Sequence, residues 1–118
     1  NKAISVARHG QPINVIGKAV EEVADEYGLT IIKDLFSHGV GRALHEEPKL
    51  IPTFFISEDK RLLTRGQVIT IEPFLTTGNP RISTAADGWT LLNKKGSYTA
   101  QFEHSMIITD DLPIILTQ

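Results

Sequence analysis

A chain of 118 residues fits one domain with a modest core, and at 41% hydrophobic and 22% charged it has the composition of an ordinary globular protein. The formal net charge of -2 offers no basic footprint for nucleic acid, and no apolar run approaches the length that crosses a membrane. The absence of cysteine excludes disulfides and thiolate metal sites and suits the cytoplasm, so any metal here must be held by His, Asp or Glu.

Ala3, Ile4, Val6 and Ala7 have helical spacing but no cap ahead of them, and Asn1 is not a methionine. The opening residues therefore read as the end of an element already begun, and the chain as a fragment. Gly10-Gln11-Pro12 breaks this segment. Asn14 is the expected N-cap of a helix running to about Tyr27. Ile16, Val20, Val23, Ala24 and Tyr27 fall on its apolar face, opposite Lys18, Glu21, Glu22 and Asp25. Gly28 sits where a left-handed residue closes such a helix.

Thr30, Ile31 and Ile32 then predict a buried strand across residues 29–36. It leads into Ser37-His38-Gly39-Val40-Gly41-Arg42-Ala43-Leu44-His45-Glu46-Glu47-Pro48, a Gly-rich loop whose two histidines bracket two glycines. An imidazole beside such a turn is suited to hold a metal or carry a proton, and Pro48 is expected to stop any regular ladder. Residues 49–61 read as an irregular surface loop, with Phe54, Phe55 and Ile56 tucked beneath it, before the turn at Thr64-Arg65-Gly66.

Val68 to Leu75 reads as a second strand, with Val68, Thr70 and Glu72 on one face. Glu72 thus interrupts an apolar run, where a carboxylate seldom sits unless something positive meets it. Gly78-Asn79-Pro80 and Asp87-Gly88 mark loops, and Trp89-Thr90-Leu91-Leu92 comes after the second. A hairpin turn at Asn93-Lys94-Lys95-Gly96 leads to a long strand from Tyr98 to Thr109. Glu103 lies mid-strand there, with His104 beside it, and a last short strand spans 113–117.

One histidine on the Gly-flanked loop and two mid-strand carboxylates make a His-Glu-Glu set, His38, Glu72 and Glu103. Mixed nitrogen and oxygen donors suit a borderline divalent ion such as Zn, Mn, Fe or Co. Such a cation removes the cost of burying both carboxylates and lowers the pKa of water bound to it. His45, on the same loop, would steady a carbonyl or carry a proton.

The histidine loop, Val-Ile-Thr-Ile-Glu-Pro-Phe (68–74), Asp-Gly-Trp-Thr (87–90) and Thr-Ala-Gln-Phe-Glu-His-Ser-Met-Ile-Ile-Thr (99–109) come in the order and spacing of a methionine aminopeptidase. The chain resembles the C-terminal half of the type I catalytic domain across residues 1–118. The fold this implies is α+β, half of a pita-bread fold, with helices on a curved antiparallel sheet.

By the same resemblance His38 and Glu72 are ligands of one divalent ion and Glu103 bridges it to a second. His45 contacts the scissile peptide, and Leu44 and Trp89 line the methionine pocket. The implied reaction is hydrolytic removal of an N-terminal methionine from nascent polypeptides in the cytoplasm, with water activated at the metal and Glu72 as its proton acceptor. Two ions serve the complete site, and Co, Mn, Fe and Zn are not distinguished.

Ser37 stands where the family usually has glycine, and Leu44 where bacterial members often have phenylalanine. Two aspartate ligands and a further pocket histidine belong to the family's N-terminal half, and residues 1–36 match none of its ligand strands. That half is thus an expected partner, without which the chain is expected to be inactive. The competing readings are a non-catalytic module of the same fold that binds a peptide or partner chain, and a prolidase-like aminopeptidase.

Overall fold

In a computed structural model that describes residues 1–117, helix α1 (Lys2–Val6) packs on helix α2 (Asn14–Glu26), and both lie against antiparallel strands. The strands are β1 (Thr30–Ile31), β2 (Ser37–Gly39), β3 (Glu46–Ile51), β4 (Val68–Ile71), β5 (Phe74–Thr76), β6 (Ser83–Thr84), β7 (Leu91–Leu92), β8 (Thr99–Gln101), β9 (His104–Ile107) and β10 (Ile114–Ile115). Among the described residues they form a five-stranded sheet in the order β10-β9-β4-β2-β3, a three-stranded sheet β1-β5-β8, and the hairpin β6-β7. The α+β class and the antiparallel pairing agree with the sequence reading.

The stripe expected on α2 is the one buried. Ile16, Val20 and Ala24, with Ile13 just ahead of the helix, meet Ala3 and Ala7 on one side and Ile31, Ile69, Ile71 and Met106 of the sheets on the other. Full burial of one such isoleucine is worth roughly 1.5–3 kcal/mol, so this stripe fixes how the helices sit. The Lys2–Glu22 ion pair at 2.7 Å is exposed and adds little. Gly28 takes φ +63 as predicted, and the Leu29 N–H closes the helix on the Ala24 carbonyl at 2.8 Å.

Two details of α2 depart from expectation. Ile13, not Asn14, holds the N-cap position; Asn14 is buried in the first turn, where its Nδ2 donates to the Ile56 carbonyl at 3.0 Å. That bond ties the helix to the 53–56 segment. Tyr27 is exposed because the helix ends one residue earlier.

The strand reading of 29–36 shrinks to Thr30–Ile31, with the Ile32 N–H still bonded to the Phe74 carbonyl at 2.9 Å. His38 lies in strand β2, so only the residues between Gly39 and Glu46 are loop. Pro48 does not stop the ladder either. It lies inside β3, the edge of the five-stranded sheet, where a missing N–H is tolerated, and the pairing shifts register between Ser37 and Gly39. Residues 46–51 are therefore strand, and the expected surface loop begins only after Ile51. Phe54 is half-buried against Phe36, with ring centroids 6.1 Å apart, whereas Phe55 is exposed.

Neither long strand predicted around a glutamate is continuous. Residues 68–76 divide into β4 and β5 at Glu72-Pro73, because proline has no N–H to carry the ladder on. Residues 99–107 divide into β8 and β9 at Phe102-Glu103. β4 pairs with β9 up to Ile71↔His104, and β5 pairs with β8 from Phe74↔Gln101. The two breaks therefore face each other where the chain passes between the larger sheets, and each carries a glutamate.

Candidate metal centre

Glu72 and Glu103 come from those facing breaks, and His38 comes from β2, the neighbour of β4. One imidazole nitrogen and one oxygen from each carboxylate all lie within 4.8 Å of one another. His38 is buried, Glu72 half-buried and Glu103 exposed, so the set opens to solvent on one side. The cavity of about 330 Å³ that they border also takes in Leu44 and His45, with Leu35, Phe36 and Phe74 as its apolar wall.

The protons of the site can be placed from its hydrogen bonds. His38 Nδ1 lies 2.8 Å from the Gly39 carbonyl oxygen, which can only accept, so this nitrogen carries the hydrogen. In the neutral ring Nε2 then presents a lone pair, and it points at Glu72 Oε1 from 3.1 Å. Two lone pairs at that distance repel unless a proton or a cation lies between them. Burial, and then the negative charge of Glu103, push the Glu72 carboxyl above its ordinary range, against the opposing pull of the Thr70 hydroxyl and the two imidazoles.

A divalent cation would remove the lone-pair conflict, the desolvation of Glu72 and the repulsion from Glu103 together. The nitrogen and oxygen donors match the borderline ions expected from the sequence. The residues fit a metal.

Local structure holds these groups in place. The Thr70 hydroxyl accepts the His38 N–H and donates to Glu72 Oε1, both at 3.1 Å, and Ser37 Oγ accepts the Glu72 N–H at 2.9 Å. A Cβ on Gly39 would stand 2.2 Å from the Glu47 carbonyl oxygen, so glycine is what lets β3 approach the ligand strand. In the loop, Glu46 Oε1 accepts the Ala43 N–H at 2.9 Å. The His45 ring, on the same loop, stands 4.2 Å from the His38 ring at 58°.

Other candidates lie elsewhere. Trp89 is 86% exposed in the turn between β6 and β7 and does not line the cavity. His104, beside Glu103 in sequence, has its Nδ1 hydrogen-bonded to the Thr117 hydroxyl at 3.1 Å, and Thr117 Oγ1 also accepts the Ser105 N–H at 3.0 Å. It pins the end of the chain to β9. Asp34 pairs with Arg81 at 3.2 Å and takes no part in the cluster. The roles of Thr70 and Ser37 escaped the sequence reading. Thr70 had a visible signal, a hydroxyl two residues before Glu72 on the same strand face.

Antiparallel sheets under two helices, with two glutamates at facing strand breaks beside a histidine of β2, define an α+β domain with a candidate metal site. The chain matches metallopeptidase family M24 over residues 1–110 and belongs to that family. It is 44% identical over 117 residues to methionine aminopeptidase 2 of Bacillus subtilis, covering 99% of this chain and 47% of that protein. It is 41% identical over 118 residues to the methionine aminopeptidase of Aquifex aeolicus, covering 98% and 45%. The crystal structure of the methionine aminopeptidase from Thermotoga maritima superposes with a TM-score of 0.92 at 35% identity, over 99% of this chain and 47% of that one. The chain thus spans about half the length of these relatives, and the similarity agrees with the pita-bread class read from the motifs.

Proposed function

We propose that residues 1–118 are the C-terminal half of a methionine aminopeptidase catalytic domain, which removes the N-terminal methionine of nascent polypeptides in the cytoplasm by hydrolysis. The observation that carries this reading is the convergence of His38, Glu72 and Glu103 in one cavity with His45. Relatives named for the activity support it. A binding module without chemistry has no need of a half-buried carboxylate aimed at an imidazole lone pair.

His38, Glu72 and Glu103 would hold a divalent ion, Mn, Co, Fe or Zn, with Glu103 available to a second one. Bound there, a divalent ion supplies Lewis acidity towards a peptide carbonyl and towards water. The chain's own groups do the rest. Glu72, within reach of the same ion, would take the proton of the attacking water and deliver it to the leaving amine. His45, its ring beside that of His38, would donate to the carbonyl oxygen as negative charge develops there. Leu44 borders the same cavity and would contact the methionine side chain.

Release of methionine from a Met-Ala-Ser peptide by the native protein carrying these residues tests this, with Mn(II) and after chelation. Metal-dependent release should fall roughly a hundredfold in His45→Ala, in kcat more than in KM. The 118 residues alone are expected to turn over negligibly, since half of the family's pocket and its two aspartate ligands are not among them. Preference for a peptide with proline in second position would redirect the reading to a prolidase-like enzyme. Metal-independent peptide binding without cleavage would redirect it to a binding module.

A further inference from the structure

We propose that Thr70 is a positioning residue of the metal site, its hydroxyl fixing the Glu72 carboxylate against the His38 ring; this rests on the reading of His38, Glu72 and Glu103 as metal ligands. Thr70 is only 2% exposed, so water does not compete for its hydroxyl. Oγ1 accepts the main-chain N–H of His38 at 3.1 Å, which leaves its single hydrogen for Glu72 Oε1, also at 3.1 Å. One hydroxyl therefore joins the backbone of one ligand to the carboxylate of another, across two neighbouring strands.

The oxygen it holds is the one that faces the His38 Nε2 lone pair at 3.1 Å. Without a donor on Oε1, the carboxylate is free to turn before a cation arrives, and the three ligand atoms no longer converge. Ser37 acts on a different atom, since its Oγ accepts the Glu72 main-chain N–H. The strand is thus held by one hydroxyl and the carboxylate oriented by the other. Groups that orient a metal ligand in this way commonly govern affinity as strongly as a ligand's own chemistry does.

Two substitutions separate this from a merely structural role. Thr70→Val keeps the shape and removes the hydroxyl, whereas Thr70→Ser keeps the hydroxyl and leaves a methyl-sized hole. Mn(II) alone is titrated calorimetrically into each chain, with thermal unfolding recorded beside it. Thr70→Val should weaken Mn(II) binding roughly tenfold to a hundredfold, while Thr70→Ser stays within about threefold of the parent even if it melts lower. Val binding as tightly as Thr, or Ser binding as weakly as Val, overturns the proposal. Should the valine chain not fold, the serine chain decides alone by keeping or losing its affinity. If the parent chain binds no Mn(II), the metal reading fails and this inference with it; if the parent binds and Val matches it, only the inference fails.

Discussion

Replacing Glu103 by glutamine should make the metal-free chain more stable and the metal-loaded chain less so. Without a cation, the carboxylates of Glu103 and Glu72 have oxygens within 4.8 Å of each other. Two unit charges at that separation repel by about 1 kcal/mol in water and about 3.5 kcal/mol at an effective dielectric constant of 20. Glu103 is exposed, so the lower figure applies. Glutamine has nearly the same shape, and its carbonyl oxygen can still accept the weak bond from Gln101 Nε2, 3.4 Å from Glu103 Oε2. The expected gain is about 1 kcal/mol, or a rise of about 4 °C in melting temperature for a domain of this size. Thermal unfolding in EDTA measures this gain. With Mn(II) in excess the order should reverse, since a neutral amide is the poorer ligand. A glutamine chain that melts below the parent in EDTA, or by the same margin with and without Mn(II), would refute the idea that the cluster is strained without its cation.

Gly39→Ala should destabilise the chain by about 1–3 kcal/mol or prevent folding, because the new methyl meets the Glu47 carbonyl at 2.2 Å; unchanged urea unfolding would contradict the close approach. Met106→Ala, at a fully buried position, should cost about 2–5 kcal/mol in the same assay. The hydroxyl of Thr90 and the N–H groups of Trp89 and Thr90 hold the Asp87 carboxyl down at about 2. A depressed carboxyl stabilises its loop fully above the unfolded value near 4 and loses that stabilisation as pH falls through the folded one. Carboxyl NMR should therefore place the Asp87 midpoint near 2 and show the 85–90 turn loosening below it; an ordinary midpoint would mean that the turn is not held this way.

The helix and the core were legible because they rest on periodicity. Ile16, Val20 and Ala24 recur at the helical period and are buried, and Gly28 closes the helix with its positive φ. The strands were legible in place but not in extent. Whether residues 68–75 continue as one strand depends on which sheet each part pairs with, and that is set by β8 and β9, far along the chain. Pro73 was the local clue to the break.

Asn14 misled because a residue that caps helices also serves as a buried donor, and a distant carbonyl, that of Ile56, took it. For the centre, residue chemistry and the family motifs pointed to His38, Glu72 and Glu103, and the fold brings those three together. The hydroxyls that orient them were not legible as such. A threonine in a strand reads as ordinary β-propensity until the partner of its Oγ1 is known.

The central claim is that His38 Nε2, Glu72 and Glu103 share one cation, and imidazole nitrogen NMR tests it at the atom concerned. The chain has four histidines, which serve as one another's controls. On titration with Zn(II), the Nε2 resonance of His38 should move to the position of a coordinated nitrogen while Nδ1 stays protonated on the Gly39 carbonyl, and the change should vanish in Glu72→Ala. An unmoved His38 Nε2, or a shift that appears instead at His9 or His104, would contradict the account.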